Sequence, residues 1–234
     1  MKKFTYGNKE YTYNLEQKKR KTFALTITPS MEISVKTPLG IDIADVEHFL
    51  IKKIFWIDKQ LNFFSQFKQV TRKKEYISGE GFLYLGRRYM LVLEKSKDAD
   101  VTLVRGKLIV ATPAPKNQKR VEAMLDEWFK SRAKEVFAER LSTVLEEFDY
   151  DFKPALAVRK MRRRWGSYSS RGKVLLNTML IHATKRQIDY VITHELCHAV
   201  HNNHSKDFYD LLEQKFPKWQ LEKEKLEKLI FNDL

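Results

Sequence analysis

The chain has 234 residues, of which 43% are hydrophobic and 12% aromatic, and it carries a formal net charge of +14. That length suits one large or two small domains with a genuine core, and the apolar content excludes an intrinsically disordered protein. No apolar run approaches the ~20 residues that span a bilayer, and no apolar segment follows the N-terminal lysines, so we expect neither a membrane protein nor a signal peptide. The single cysteine, Cys197, excludes an intramolecular disulfide framework, and we therefore expect a cytoplasmic protein.

Residues 1–37 predict short strands. FALTITP and MEISVKTP alternate apolar and polar residues, with Pro29 and Ser30 marking the turn between them. Asp42 predicts the N-cap of a helix that begins at residue 43. Apolar residues then recur at helical spacing as far as residue 64, which predicts one continuous helix of about six turns.

Residues 81–112 return to strand patterns. FLYLGRRYMLVLE predicts a hairpin that turns at Gly86, and VTLVRGKLIVATP predicts a second that turns at Arg105-Gly106. A second long helix is predicted over about residues 116–148. We place a domain boundary after residue 112, between a β-rich N-terminal region with one long helix (1–112) and a C-terminal domain (113–234).

From residue 150 the pattern changes. PALAVRKM and KVLLNTML predict two strands that flank RRRWGSYSSRG, a segment rich in turn residues. Thr184, followed by Gln187, predicts a capping box and therefore a helix that starts at residue 184. The residues of this helix expected to face the core are Ile188, Val191, Ile192, Ala199 and Val200. Ser205 predicts the cap of a further helix, and an amphipathic helix is expected after Pro217.

Four of the six histidines lie in HELCHAVHNNH, residues 194–204. His194 and His198 are four residues apart and therefore lie on one face of the predicted helix. That spacing allows two imidazole nitrogens to bind one zinc ion at about 2.0–2.1 Å. Glu195 lies beside the pair, where its carboxylate can reach a water on the ion without ligating the ion itself. The H-E-x-x-H pattern on a capped, amphipathic helix is typical of a catalytic zinc site.

The third ligand is a choice between His201 and His204. On a straight helix His201 would lie about 10.5 Å along the axis from His194, too far to share an ion. Asn202 and Asn203 tolerate the left-handed conformation that ends helices, so the chain can reverse there. We therefore favour His204, and we expect His201 to face solvent or to support a ligand.

Three neutral histidines leave one position of a zinc tetrahedron open for water, which is typical of a catalytic site. We predict one Zn²⁺ per chain, with the ion lowering the pKa of that water toward ~7. Glu195 is the predicted general base, which takes the proton of the water and passes it to the leaving group. Cys197 points away from the ligand pair and is predicted to be a buried small apolar residue.

The segment from RRRWGSYSSRG to HNNHSKDFYDLL closely resembles the YgjP-like metallopeptidase family, relatives of the SprT and WLM zinc-dependent proteases. The shared residues are R-W-G-S at 164–167, L-N at 176–177, D-Y-V at 189–191, H-E-L-C-H at 194–198 and N-H-S at 203–205. A weaker resemblance reaches the N-terminal strands, the WIDKQ helix and the FLYLGRRYML hairpin. The family resemblance implies that His194, His198 and His204 are the zinc ligands and that Glu195 is the general base. In one departure, the family usually has cysteine where this chain has Tyr168.

The resemblance implies an α+β fold with a zincin-like C-terminal core, in which the HExxH helix lies under a small sheet. In such folds an edge strand above that helix pairs with an extended substrate. The candidate substrate-binding residues are therefore Arg164, Trp165, Gly166, Ser167 and Asn177. The alternative is that Trp165 packs in the core and Asn177 stabilises a turn. Arg164, Tyr168 and Tyr209 are alternatives for the group that stabilises the oxyanion.

The resulting prediction is a zinc-dependent hydrolase, most simply a metallopeptidase that acts on peptides or proteins. Basic residues are spread along the chain, and the run RKMRRRW at 159–165 precedes the histidine segment. One alternative therefore keeps the metal but cleaves a phosphoanhydride or nucleotide, because arginines orient phosphate. A second alternative is a nucleic-acid-associated protein with SprT-like protease activity, since a basic surface attracts polyanions.

Overall fold

A computed structural model describes residues 1–28, 31–66, 74–161 and 164–232. Within these ranges the protein is mixed α+β, with six α-helices and eleven strands in three sheets. It divides into two compact units, Met1–Thr71 and Arg72–Leu234. No helix in the described ranges is long and apolar enough to span a membrane.

The first unit contains one four-stranded sheet in the order β1-β2-β4-β3. Its strands are β1 (Lys2–Tyr6), β2 (Lys9–Gln17), β3 (Ala24–Ile27) and β4 (Ile33–Thr37). The two predicted strands are β3 and β4, which pair antiparallel. Their alternating pattern buries Ile33 and Val35 on one face. The predicted turn residues Pro29 and Ser30 lie outside the described residues.

The helix predicted over residues 43–64 is interrupted, so the prediction of one continuous helix is wrong. The structure has α1 (Ile43–Lys52), capped by the Asp42 carboxylate, and α2 (Ile54–Gln66). At Lys53 the backbone N–H turns to the carbonyl oxygen of Leu50, 3.0 Å away, in place of the α-helical partner. Buried apolar residues continue across the break, and neither glycine nor proline lies there. The sequence pattern therefore looks uninterrupted.

Both hairpins predicted over residues 81–112 are present in the second unit. They consist of β5 (Gly81–Tyr84) with β6 (Arg87–Lys95), and β7 (Asp100–Val104) with β8 (Lys107–Thr112). Each turns through two residues of positive φ, at Leu85-Gly86 and Arg105-Gly106, as tight hairpins require. The hairpins join through a parallel pairing of β6 with β8.

The long helix α3 (Gln118–Leu145) begins at the Asn117 cap and buries one face along its length. It shares a single hydrophobic core with this sheet and with the C-terminal helices. Members of that core include Phe82, Leu91, Leu108, Val110, Leu125, Phe137, Ile192 and Leu212. The boundary predicted after residue 112 therefore lies inside the second unit, between elements that pack on one another.

A small third sheet precedes the histidine helix. It contains β9 (Ala155–Arg159), β10 (Gly166–Ser169) and β11 (Lys173–Asn177) in the order β10-β11-β9. The two predicted strands, β9 and β11, are present and pair in parallel. The segment between them contains β10, which the sequence pattern presented as a turn. Glycine and serine have low strand propensity, and β10 forms by antiparallel pairing with β11.

A 3₁₀ turn (Thr178–His182) leads into α4 (Lys185–Cys197), where the predicted capping box of Thr184 and Gln187 is confirmed. The helix ends before Ala199 and Val200, and the prediction that Val200 faces the core is wrong because it is 55% exposed. The chain ends with α5 (Lys206–Lys215), capped by Ser205, and α6 (Trp219–Asn232).

Candidate metal centre

Three histidines converge at the C-terminal end of α4. His194 lies in the last turn of the helix, His198 caps it, and His204 lies in the segment before α5. Each offers one ring nitrogen, and these nitrogens all lie within 4.8 Å of one another. The Nε2 atoms of His194 and His204 are 3.1 Å apart. Ligand nitrogens on a tetrahedral zinc ion are separated by roughly 3.3 Å, so the group could hold such an ion with little rearrangement.

The chain reverses after α4 without the left-handed asparagine that the sequence suggested. Neither Asn202 nor Asn203 has a positive φ. The last helical turn tightens instead, with the Ala199 N–H donating to the Leu196 carbonyl at 2.9 Å. A turn and a bend over residues 198–203 complete the reversal and return His204 to the end of the helix.

His201 is not part of the converging group, but its backbone supports it. The Nδ1 atom of His198 lies 3.0 Å from the carbonyl oxygen of His201. Because a carbonyl oxygen can only accept, Nδ1 carries the proton and donates this hydrogen bond. The bond fixes the ring of His198 and leaves Nε2 free for a metal, which is how metal-binding histidines are usually oriented.

The ring of Phe208 forms the floor beneath all three histidines. Its centroid lies 5.0 Å from the ring centroid of His194 and 4.7 Å from those of His198 and His204. Sequence reasoning predicted the helix capped by Ser205 but did not connect Phe208 with the site. The available signal was its position in the first turn of the helix that follows His204. Its fully buried ring limits the orientations open to the imidazoles.

Desolvation favours the neutral form of His194 and His204. It lowers the pKa of His194 to about 3, with His198 and His204 adding to the effect. It also lowers the pKa of His204, with smaller contributions from His198 and Lys223. Neutral imidazole is the form that binds metal ions, so these two side chains are ready to bind at neutral pH.

Glu195 faces the same space from α4, although it is only 6% exposed. Burial raises the pKa of its carboxyl group to about 7, while a hydrogen bond from the backbone N–H of Tyr168 and the charge of Arg164 act in the opposite direction. A carboxyl group with a pKa near neutrality can both take and release a proton at physiological pH.

The histidines and Glu195 open into one groove of about 490 Å³. Four of the predicted substrate-binding residues line it: Arg164, Trp165, Gly166 and Ser167. The fifth does not, because the amide of Asn177 is buried and bonds to the backbone of Met161, Arg164 and Met179. Tyr190 and Asn202 also line the groove, and sequence reasoning did not select them.

Comparison with known protein families identifies the family to which this chain belongs. The model of the YgjP-like family, described as a metallopeptidase domain, matches residues 21–229. The chain belongs to the YgjP-like metallopeptidase family. The resemblance seen in the sequence is thereby confirmed, and the protein is a hydrolase whose substrates are peptides or proteins.

Two solved structures are similar to part of this YgjP-like protein. The metallopeptidase zymogen abylysin of Pyrococcus abyssi shares 19% identity over 42% of this chain and 99% of its own, with a TM-score of 0.38. The zymogen jannalysin of Methanocaldococcus jannaschii shares 20% identity over 40% of this chain and 94% of its own, with a TM-score of 0.35. No curated protein matches the chain.

Tyr168, where the sequence resemblance led us to expect cysteine, has two groups that face the site. Its backbone N–H donates to Glu195, and its half-buried side chain lines the groove together with that of Arg164. Tyr209, the third candidate for stabilising the oxyanion, lies beside the site, with its ring centroid 6.1 Å from that of His204.

Proposed function

We propose that this YgjP-like metallopeptidase is a zinc-dependent peptidase in which His194, His198 and His204 bind the ion and Glu195 is the general base. The observation that carries the proposal is the convergence of three imidazole nitrogens within 4.8 Å beside a buried carboxylate in one groove. Three nitrogen donors with an open fourth position favour zinc over calcium or magnesium, which prefer oxygen ligands. When bound, zinc supplies Lewis-acid chemistry that polarises a peptide carbonyl and acidifies water.

Glu195 would carry the proton through the reaction. Its carboxylate accepts the Tyr168 N–H, which leaves acceptor capacity for a water in the groove. From its place in the groove beside the histidines, it would take the proton of the attacking water and later release it to the leaving amine. Arg164 is our candidate for stabilising the oxyanion, because it lines the groove and its charge acts on Glu195.

Strand β10 is our candidate for the substrate-binding edge, in a zincin-like arrangement with α4. Among the described strands it is one of the two terminal strands of its sheet, paired with β11 on one side. An extended peptide could add to its other side and gain affinity from backbone hydrogen bonds while crossing the groove. Trp165 and Ser167 line the groove there and would contact the side chains of the peptide.

Glu195→Gln provides the test of this function. The amide is nearly isosteric with the carboxylate but cannot take a proton, so we expect retained zinc and at least ~100-fold lower kcat on unfolded, fluorescently labelled casein. Glu94→Gln, the same change at an exposed position on β6, should leave both unchanged. Wild-type turnover by the Glu195→Gln variant would contradict the role of the base.

The two alternative functions have less support. The family assignment favours peptide over phosphoanhydride substrates, and release of phosphate from nucleoside triphosphates in the same assay would reverse that preference. Association with nucleic acid stays a prediction from charge, since Arg162 and Arg163 of the basic run lie outside the described residues. Association with nucleic acid would be shown by DNA binding that weakens as the salt concentration rises and that persists after the metal is removed.

A further inference from the structure

Gly166 lies where strand β10 comes closest to Glu195. A Cβ atom at this position would be 2.7 Å from Oε1 of Glu195, 2.8 Å from its Cγ and 3.0 Å from its Cδ. Non-bonded carbon atoms normally approach to about 3.5–4.0 Å. A side chain of any size at residue 166 would therefore occupy space that Glu195 already fills.

The backbone at Gly166 does not itself require glycine. Of the eight glycines of the chain, six have a positive φ, and the two exceptions are Gly81 and Gly166. Any residue could adopt the conformation at 166. The demand for glycine at this position therefore comes from the space taken by Glu195.

Strand β10 is held firmly against movement away from Glu195. The Trp165 carbonyl accepts the Asn177 N–H at 2.8 Å, and the Arg164 carbonyl accepts the Asn177 side-chain amide at 2.9 Å. Gly166 itself is paired with Leu176 in the sheet. These bonds fix the start of the strand just where the added atom would collide.

Glu195 is equally constrained on its side. It is 6% exposed and lies on α4 between His194 and buried Leu196. Its carboxylate accepts the N–H of Tyr168, two residues along β10 from Gly166. A displaced carboxylate would lose this bond as well as its place in the groove beside the histidines.

We propose that Gly166 is a positioning residue for Glu195. Its missing side chain lets β10 close onto the carboxylate, so that the Tyr168 N–H reaches it and the carboxylate stays in the groove. The contact is a matter of packing alone, whereas its catalytic consequence rests on the function proposed above.

The packing is tested by stability in the full-length, metal-free protein. Gly166→Ala should lower the urea midpoint of unfolding, because the methyl group and Glu195 compete for one space. In a Glu195→Ala background, which removes the atoms that collide, the same substitution should leave the midpoint unchanged or raise it. Equal losses in both backgrounds would overturn the proposal.

Gly81→Ala is the matched control. Gly81 also begins a strand and also lacks a positive φ, and the three atoms nearest to its added Cβ would all belong to the exposed side chain of Arg88, the first of them Cδ at 2.9 Å. Its effect on the midpoint should be the same in the wild-type and Glu195→Ala backgrounds, so that the two substitutions are additive. If Gly166→Ala alone does not fold, the double variant with Glu195→Ala should fold, and failure of both would also overturn the proposal.

A second measurement addresses catalysis. With zinc content equal to wild type, Gly166→Ala should lower kcat on labelled casein by about 10–100-fold, the scale expected when a reacting group moves by ~1 Å, with KM little changed. A wild-type kcat in a variant that shows the stability coupling would overturn the positioning role. If the proposed function is wrong, Glu195→Gln will keep the wild-type activity. That outcome does not affect the stability coupling between Gly166 and Glu195.

Discussion

At the scale of single residues, each histidine of the metal centre is held in a different way. His194 is fixed by the backbone of α4, and His198 by the hydrogen bond from its Nδ1 to the His201 carbonyl. His204 is exposed and belongs to no helix, so its position depends on contacts with Phe208 and its neighbours. His204, the proposed third ligand, is therefore the histidine most easily replaced without damage to the fold.

His204→Ala should remove most of the bound zinc, because two imidazoles bind the ion far more weakly than three. His201→Ala should retain close to one zinc per chain, because alanine keeps the backbone carbonyl that orients His198. Metal analysis after dialysis of both variants measures the difference. Zinc retained by the His204 variant and lost by the His201 variant would contradict this choice of ligands.

Glu195 makes the stability of the metal-free protein depend on pH. Its folded-state pKa of about 7 lies above the ordinary value of 4.5, so between these values only the folded protein holds the proton. The contribution of Glu195 to the free energy of unfolding is therefore greatest below pH 4.5 and is lost as the pH rises through 7. His194, lowered from 6.5 to about 3, acts oppositely: its contribution is present above pH 6.5 and is lost as the pH falls below it.

Comparing Glu195→Gln with wild type isolates the carboxyl group, because both chains keep His194. The glutamine variant should match wild type near pH 5 and exceed its free energy of unfolding by about 1–3 kcal/mol at pH 8.5. Urea unfolding in the presence of a chelator measures this difference. If the difference in free energy of unfolding between the two proteins does not change with pH, the pKa of Glu195 is not raised in the folded protein.

Some residues of the site could be read from the sequence and others could not. The pair His194 and His198 follows from helix geometry, since a spacing of four residues places both on one face. The contacts of Gly166 and Phe208 with the site could not be derived in this way. They depend on how β10 and α5 pack against α4, and no local pattern encodes such distances.

At the scale of elements, the helix starts were predictable because capping is local. Asp42, Thr184 and Ser205 each accept a hydrogen bond from a nearby backbone N–H, and the residues involved are at most three positions apart. Strand β10 and the break at Lys53 were not predictable. The strand depends on its pairing with β11, and the break carries no glycine or proline signal.

Asn177 joins three elements through one buried amide. It holds the backbone of Met161 and Arg164, before β10, and of Met179 in the 3₁₀ turn. Asn177→Ala should lower the free energy of unfolding by about 2–4 kcal/mol, because several backbone groups lose their partner in a buried site. Asn117→Ala, which removes the single capping bond of α3, should cost about 1 kcal/mol. Urea unfolding of both variants compares them, and equal costs would contradict the role of Asn177.

At the scale of the whole molecule, the hairpins of residues 81–112 belong with the metal centre's unit. Gly86 and His182 show this directly, since the Gly86 N–H donates to the His182 carbonyl at 3.1 Å, just before α4 begins. The sequence pattern suggested a boundary after residue 112 because strands end there and a long helix starts. Local sequence patterns predict whether a segment is a strand or a helix. The shared core of β5, β6, β8 and α3 depends instead on contacts between residues that lie far apart in the chain.

A fragment of residues 72–234 should therefore fold and bind zinc, whereas one of residues 113–234 should not. The shorter fragment lacks five buried core residues, namely Phe82, Tyr84, Leu91, Leu108 and Val110. Each contributes about 1.5–3 kcal/mol by burial, and their sum rivals the ~5–15 kcal/mol that stabilises a whole domain. Thermal unfolding by circular dichroism, with zinc content measured alongside, distinguishes the two. Cooperative unfolding of the 113–234 fragment with zinc bound would instead support the boundary predicted from the sequence, because the metal centre would then form without the hairpins.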